Sequence, residues 1–139
     1  MKIYFAGSIR GGRQDAGKYL ELIDFLSTKA EVLTEHVGTT ELGDQGENNL
    51  SDHEIHRRDV EWLESCDAII AEVTNPSLGV GYEIGIAEKL GKPVLCLFDE
   101  SQPEFCLSAM LSGNEKIQVC RYHAIGEAKR HLSEFISTI

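Results

Sequence analysis

Short apolar segments alternate with longer amphipathic segments along the 139-residue chain. Five segments are rich in apolar, β-branched or aromatic residues, and they span residues 2–7, 31–36, 67–73, 93–98 and 116–122. This composition is typical of strands that are buried on both faces of a parallel sheet. Helical periodicity covers residues 12–28, 51–65, 79–91 and 124–137, and a short helix can form near 104–112. The alternation predicts one α/β domain over 1–139, a parallel sheet covered by helices on both faces.

Charge and cysteine usage narrow the function classes. The chain has 13 basic and 23 acidic residues, a net charge of −10, so a basic nucleic-acid-binding surface is not expected. Its four cysteines have neither C-x-x-C nor zinc-site spacing, and we interpret them as small buried side chains in a reducing compartment: Cys66, Cys96, Cys106 and Cys120. The chain enters a strand at once, and no apolar run approaches the ~20 residues of a membrane span. We expect a cytosolic protein with no membrane contact.

The segment GSIRGGR, residues 7–13, follows the first predicted strand and leads into a helix. In open α/β sheets, ligands bind at the carboxyl ends of the strands. Free N–H groups at a helix start suit a phosphate, Ser8 adds a hydroxyl, and Arg10 or Arg13 adds a cation. The alternative is a tight strand–helix turn with solvated arginines. The segment TEH places Glu35 and His36 at the same edge, either as site residues or as a polar strand end.

The predicted helix 51–65 places an acid on its apolar face. Ser51 or Asp52 can cap its start. At about 100° per residue, Asp59 falls in the middle of an apolar stripe, which consists of Ile55, Trp62, Leu63 and Cys66. An acid in that position is paired, hydrogen-bonded or functional. The alternatives are an acid at the margin of the stripe and a structural partner for an arginine.

Glu83 repeats the pattern in the segment PSLGVGYEIG. Its predicted face neighbours are apolar: Val80, Ile86, Ala87 and Leu90. An acid in the first helical turn can simply complement the helix dipole, but that does not explain the face that Glu83 occupies. The preceding residues, Ser77 and Gly79 among them, form a loop that can approach a ligand closely.

Two acids directed at one cleft indicate acid–base or nucleophilic chemistry. Glycosidic cleavage uses such a pair, with one carboxylate attacking the anomeric carbon and the other handling protons, at a separation of roughly 5–5.5 Å. A phosphate-binding loop beside the pair would indicate a phosphorylated sugar. The polar segment 38–52 is long for a connection, which favours a functional loop.

The segments FAGSIRGGR, LTEH, IHRRDVEWL, AEVTNPSLGVGYEIG, LCLF and LSAM occur in this order between about residues 2 and 112. Together they closely resemble the 2′-deoxynucleoside 5′-monophosphate N-glycosidases of the nucleoside 2-deoxyribosyltransferase superfamily. The resemblance implies a flavodoxin-like three-layer fold with a five-stranded parallel sheet, and a homodimer. It implies hydrolysis of a deoxynucleoside monophosphate to a free base and 2-deoxyribose 5-phosphate. No metal and no organic cofactor are expected.

The resemblance also implies roles at matching positions. Glu83 would be the nucleophile that forms a glycosyl-enzyme intermediate, Asp59 would position sugar and base and assist proton transfer, and Tyr4 would line the pocket near them. The segment that would wrap the substrate comprises Gly7, Ser8, Ile9, Arg10 and Gly11, with Ser8 and Arg10 near the phosphate. Further substrate contacts would come from Ser77 and Gly79 to the phosphate, from Glu35 and His36 to the base or cavity, and from Ser108 of the other subunit. Without the resemblance, Tyr4 would be interpreted as a core aromatic and Ser108 as a helix cap.

Three other functions compete with this hypothesis. A deoxyribosyltransferase would let a second base intercept the same intermediate, although the Gly/Arg/Ser phosphate set argues against nucleosides, which carry no phosphate. Related enzymes cleave ribonucleotides such as hydroxymethyl-CMP. A non-catalytic nucleotide sensor on the same fold would explain the phosphate loop but not two acids on apolar faces.

Overall fold

The computed structural model describes residues 1–9, 15–38 and 50–139. Its strands are β1 (Lys2–Ala6), β2 (Glu31–Val32), β3 (Ala68–Glu72), β4 (Val94–Asp99) and β5 (Gln118–Tyr122). Its α-helices are α1 (Ala16–Ser27), α2 (Asp52–Ser65), α3 (Leu78–Lys89), α4 (Ala109–Ser112) and α5 (Ile125–Ile136). A short 3-10 helix covers Glu35–Gly38.

The five strands form one parallel sheet in the order β2-β1-β3-β4-β5. Helices α1 and α5 pack on one face of the sheet, and α2 and α3 pack on the other. The strand order reverses between β1 and β3, which is the place where such sheets bind ligands. This arrangement confirms the predicted flavodoxin-like α/β fold. The extent of the single domain, 1–139, stays a prediction.

Strand alternation separates two apolar cores. Ile3 and Phe5 of β1 point toward α1 and α5, whereas Tyr4 and Ala6 point toward α2 and α3. Helix α2 begins at a capping box, in which the Ser51 hydroxyl accepts from the Glu54 backbone N–H and the Glu54 carboxylate accepts from that of Ser51. Ser51 is one of the two caps that the sequence allowed.

The second predicted strand, 31–36, is wrong beyond Val32. The Thr34 hydroxyl accepts from the Phe5 N–H at 2.8 Å and donates to the Phe5 carbonyl at 2.6 Å. Because this side chain satisfies the groups that a longer β2 would pair with, the backbone is released into the 3-10 helix. Glu35 and His36 therefore start a helix instead of ending a strand.

Two finer predictions also need correction. Cys66 and Cys96 are buried, but Cys106 is exposed and Cys120 is half-buried. Helix α3 buries Val80, Ile84 and Ala87, while Leu90 at its end is 44% exposed. None of the helices in the described ranges combines the length and the apolarity that a membrane crossing requires.

Candidate active site

The first element of the candidate site is a hydrogen bond between a strand and a helix. The buried Tyr4 hydroxyl of β1 donates to Oε1 of Glu83 on α3 at 2.9 Å. Burial raises the pKa of Glu83; the Tyr4 hydrogen bond opposes this and the nearby Asp59 charge adds to it, with a result of about 7. Burial, together with the charges of Glu83 and Asp59, also raises the pKa of Tyr4. At neutral pH Tyr4 is therefore a donor, and Glu83 can be either protonated or ionised.

Asp59 is the second acid of the site and lies on α2. Its charge raises the pKa of both Tyr4 and Glu83, so the three groups form one electrostatic cluster. Two guanidinium nitrogens of Arg58 donate to its Oδ1, Nε at 3.0 Å and Nη2 at 2.8 Å. The guanidinium also stacks over the Trp62 ring, at 4.5 Å from the centroid. The structure thus brings together the two predicted acids and the predicted tyrosine.

The segment after β1 is tightly enclosed where it is described. A Cβ atom on Gly7 would come within 2.9 Å of the Tyr19 ring, so a side chain does not fit there. The Ser8 N–H donates to the Tyr19 hydroxyl at 3.2 Å, whereas the fully buried Ser8 hydroxyl has no hydrogen-bond partner among the described residues. Such an atom is costly and requires an explanation, and a bound polar group would supply one. Ile9 is half-buried against the α1–α5 core, and Arg10 and Gly11 lie outside the described residues.

Two further predicted residues line a neighbouring cavity of about 240 Å³, which is bounded by α3, the loop after β3 and residues 106–111. Ser77 is the N-cap of α3 and Ser108 is the N-cap of α4. Gly79 is exposed, and a Cβ atom there would contact the Ser77 hydroxyl at an ordinary 3.7 Å. Tyr4, Asp59 and Glu83 are not among the residues that line this cavity. The serines and the acids thus form two adjacent groups.

Of the remaining predicted residues, His36 contacts Trp62 of α2. The half-buried His36 ring is 5.7 Å from the Trp62 ring, between centroids. The side chain of Glu35 lies outside the described part of the structure. His56 and Tyr82 connect α2 to α3 through a 3.3 Å hydrogen bond.

The sequence left open that Asp59 is the partner of an arginine, but it did not identify Arg58 as that arginine. Helical periodicity places Arg58 off the apolar stripe of α2. Its side chain instead folds back onto the adjacent Asp59 and onto Trp62, one turn away. The available signal was an arginine that is followed by an acid at i+1 and by an aromatic residue at i+4. Within the described residues, no three His, Cys, Asp or Glu side chains are arranged to hold a metal ion.

Comparison with known proteins supports this picture. The family model for nucleoside 2-deoxyribosyltransferase matches residues 3–121. A 5-hydroxymethyl-dUMP N-hydrolase of Tetraodon nigroviridis is 51% identical over 99% of this chain and 98% of its own length. Two solved structures share the fold at 22% identity. The Clostridium botulinum CMP N-glycosidase BcmB has a TM-score of 0.67 over 97% of this chain and 99% of its own. The solution structure of BlsM has a TM-score of 0.75 over 99% of this chain and 90% of its own.

Proposed function

The chain belongs to the nucleoside 2-deoxyribosyltransferase family, and from that premise we propose that it hydrolyses the N-glycosidic bond of 2′-deoxynucleoside 5′-monophosphates. The products are the free base and 2-deoxyribose 5-phosphate. The 51% identity to a 5-hydroxymethyl-dUMP N-hydrolase supports this substrate class. It also makes 5-hydroxymethyl-dUMP one of the proposed substrates. The observation that carries the proposal is the Tyr4–Glu83 hydrogen bond of 2.9 Å beside Asp59.

Glu83 is the nucleophile of the proposed reaction. Its ionised carboxylate attacks C1′ as the bond from C1′ to the base nitrogen breaks, and the bonding electrons leave with the base. The Tyr4 hydroxyl, which donates to Oε1, orients the carboxylate for this attack. Water then adds its hydroxyl to C1′, releases 2-deoxyribose 5-phosphate and regenerates the carboxylate.

Asp59 positions the substrate and assists proton transfer. The departing base gains the proton that the water molecule ultimately supplies, and a carboxyl group near the leaving nitrogen can relay it. Asp59 has one oxygen bonded by Arg58, and its side chain is 22% exposed. His36, beside Trp62, and Glu35 lie on the side where the base binds.

The phosphate binds between the loop after β1 and the start of α3. The buried Ser8 hydroxyl without a partner supports this site, as do the N–H groups at the N-terminus of the 12-residue helix α3. Ser77 and Gly79 contribute at that helix start, and Arg10 adds a cation. The backbone of Gly7, Ile9 and Gly11 wraps the substrate.

The active form of the proposed enzyme is a homodimer in which Ser108 of one subunit reaches the phosphate of the other. An apolar surface supports this assembly, because Leu78 is 97% exposed, Met110 is 80% exposed and Tyr82 is 57% exposed. Met110 also lines the cavity that contains Ser77 and Ser108. Exposed apolar side chains beside a cavity are typical of a surface that another protein covers.

Mixing two inactive variants tests the shared site. Glu83→Ala and Ser108→Ala each damage one part of it, and the mixed dimer contains one intact pair. We expect turnover from the mixture to exceed that of either variant alone. If Ser108→Ala retains full activity, the shared site is wrong. The four unpaired cysteines fit the cytosolic location that we propose for this dimer.

A nucleotide panel tests the reaction itself. The purified protein is incubated with deoxy- and ribonucleoside monophosphates, with 5-hydroxymethyl-dUMP and with the matching nucleosides, and free base is quantified by chromatography. We expect base from the deoxynucleoside monophosphates and none from the nucleosides, since nucleosides lack the phosphate. Glu83→Ala should lower the rate by at least about a thousandfold with the fold intact. Absence of base from every nucleotide would contradict the proposal.

Transfer to a second base is the alternative that the family name favours. The same glycosyl-enzyme intermediate would react with a free base instead of water. Adding a second base to the reaction separates the two functions, because a transferase yields a new nucleotide and a hydrolase yields only sugar phosphate.

A further inference from the structure

Arg58 is held on two sides within the candidate site. One edge of its guanidinium donates twice to Oδ1 of Asp59, at 3.0 and 2.8 Å, and its Cζ lies over the Trp62 ring at 4.5 Å from the centroid. Only 23% of the side chain is exposed. A planar guanidinium held by two hydrogen bonds and an aromatic contact has little rotational freedom, and it fixes the group to which it donates. Neighbouring Arg57 is exposed and has no such contacts with Asp59.

Among the described residues, titratable groups face this cluster from β1, from α3 and from the 3-10 helix. Tyr4 faces the cluster from β1, Glu83 and Tyr82 face it from α3, and His56 lies on α2 itself. His36 approaches from the 3-10 helix through Trp62. Arg58 is the cation that contacts Asp59 directly, so its positive charge opposes the repulsion between Asp59 and Glu83.

We propose that Arg58 is a positioning residue of the reaction: clamped between Trp62 and Asp59, it fixes the rotation of the Asp59 carboxyl and screens the charge of that group from Glu83. This inference rests on the proposed function. Because both donors converge on Oδ1, Arg58 leaves Oδ2 to the substrate and to proton transfer. Arg58 need not touch the substrate to set the state of the nucleophile.

The sign of its effect on Glu83 follows from electrostatics. The charge of Asp59 raises the pKa of Glu83, and a cation bound to Asp59 weakens that repulsion. Burial and the two acids raise the pKa of Tyr4, and Arg58 lowers it, so its charge does reach the catalytic cluster. Without the cation, Glu83 experiences the full charge of Asp59 and retains its proton to higher pH.

Three variants separate charge, geometry and general destabilisation. Arg58→Gln removes both the charge and the pair of guanidinium hydrogen bonds to Asp59, whereas Arg58→Lys keeps the charge without that pair. Arg57→Gln is the matched control, with the same charge change on the adjacent exposed residue. The titration of Glu83 is followed by carboxyl ¹³C NMR in the ligand-free protein and assigned with Glu83→Gln. We expect Arg58→Gln to move this titration upward by at least about half a pH unit. Arg58→Lys should return it toward wild type, and Arg57→Gln should leave it unchanged.

Turnover supplies the second readout. In Arg58→Gln, the acid limb of kcat/KM should move to higher pH together with the titration of Glu83. In both Arg58 variants, kcat should fall by about tenfold because the pair of hydrogen bonds that orients Asp59 is lost. The proposal would be overturned if Glu83 titrated at the same pH in Arg58→Gln and Arg57→Gln. It would also be overturned if Glu83 titrated at the same pH in Arg58→Lys as in Arg58→Gln. The NMR titration needs no turnover, so it tests Arg58 even if the proposed hydrolysis fails.

Discussion

Two tyrosine–glutamate pairs lie on opposite faces of the sheet. Tyr4 donates to Glu83 at 2.9 Å on the α2–α3 face, and Tyr122 donates to Glu72 at 2.9 Å on the α1–α5 face. Burial raises the pKa of both carboxyl groups. A buried acid with a tyrosine donor is therefore not by itself evidence of an active site, and the difference between the pairs must lie in their surroundings.

Glu72 is fully buried and well supplied with donors. It accepts from the Thr74 hydroxyl at 2.5 Å and from the Thr74 N–H at 3.4 Å, in addition to Tyr122. The charge of Lys18 also favours its ionised form. A carboxyl group with this many partners is closed to a ligand and stabilises the fold.

Glu83 has the opposite surroundings. It is half-buried, accepts from Tyr4, and faces the like charge of Asp59. Within the described residues no lysine or arginine pairs with it. Partial satisfaction, exposure and repulsion are the conditions that leave a carboxylate available for reaction. Glu72 therefore has the surroundings of a structural group, and Glu83 has those expected of a reactive group.

The largest effect that would break this comparison is on turnover. Glu83→Gln should lower kcat by at least about a thousandfold, because the neutral amide cannot attack C1′. The same substitution on the other face, Glu72→Gln, should leave kcat within about tenfold of wild type in folded protein. Base release measured on both variants, with folding checked by circular dichroism, decides the point. Equal losses of kcat would mean that the two acids cannot be separated in this way.

The sheet and the two acids of the candidate site could be predicted because each leaves a periodic signal. Near-continuous apolar runs predicted the parallel strands, and an acid on an apolar helix face predicted Asp59 and Glu83. The capping residue Ser51 was likewise evident from its position before the helix. All of these features depend on residues that are close to one another in the sequence.

The rest depends on side-chain contacts between distant segments. Thr34 ends β2 by bonding the backbone of Phe5, 29 residues away, and no local pattern records that contact. Glu72 ends a strand and looks like any polar strand end, since Tyr122 lies 50 residues further along the chain. Arg58 could not be identified as the partner of Asp59 because periodicity describes where a residue leaves the backbone, not where a long side chain ends.

Removing the two tyrosine hydroxyls separates activity from stability. Tyr122→Phe leaves a buried carboxyl short of one donor and should cost about 1–3 kcal/mol of unfolding free energy, with little change in kcat. Tyr4→Phe should lower kcat/KM by about ten- to a hundredfold, because Glu83 loses the donor that orients it, with a smaller loss of stability. Denaturant unfolding and steady-state kinetics on both variants measure the contrast. The reverse assignment of effects would exchange the roles of the two pairs.

The pH profile sharpens the assignment of Glu83. Attack requires the ionised carboxylate, and the pKa of Glu83 is about 7, so kcat/KM should fall as the pH falls through about 7. Tyr4→Phe removes a donor that favours the charged form, so its acid limb should move to higher pH. Asp59→Asn removes a like charge, so its acid limb should move to lower pH, whatever happens to kcat. Shifts in the same direction for both variants would contradict Glu83 as the titrating group.

The smallest effect concerns the free energy of unfolding that the protein loses when Glu83 is ionised. Its pKa is raised from an ordinary 4.5 to about 7, so the folded state binds a proton more tightly than the unfolded chain does. The associated stability is fully present below about pH 4.5 and is lost as the pH rises through about 7. Glu83→Gln lacks this group, so its gain over wild type should be larger at pH 8 than at pH 5, by roughly 1–3 kcal/mol after allowance for solvent screening.

Urea unfolding of both proteins at the two pH values measures this gain. Glu64→Gln on α2, which removes an exposed carboxyl group, is the matched control for the substitution itself. A Glu83→Gln variant whose advantage is the same at pH 5 and pH 8 would mean that Glu83 is ionised without cost in the folded protein. Its contrast with Glu72 would then rest on solvent access alone, and not on a charge that the fold holds under repulsion for use in the reaction.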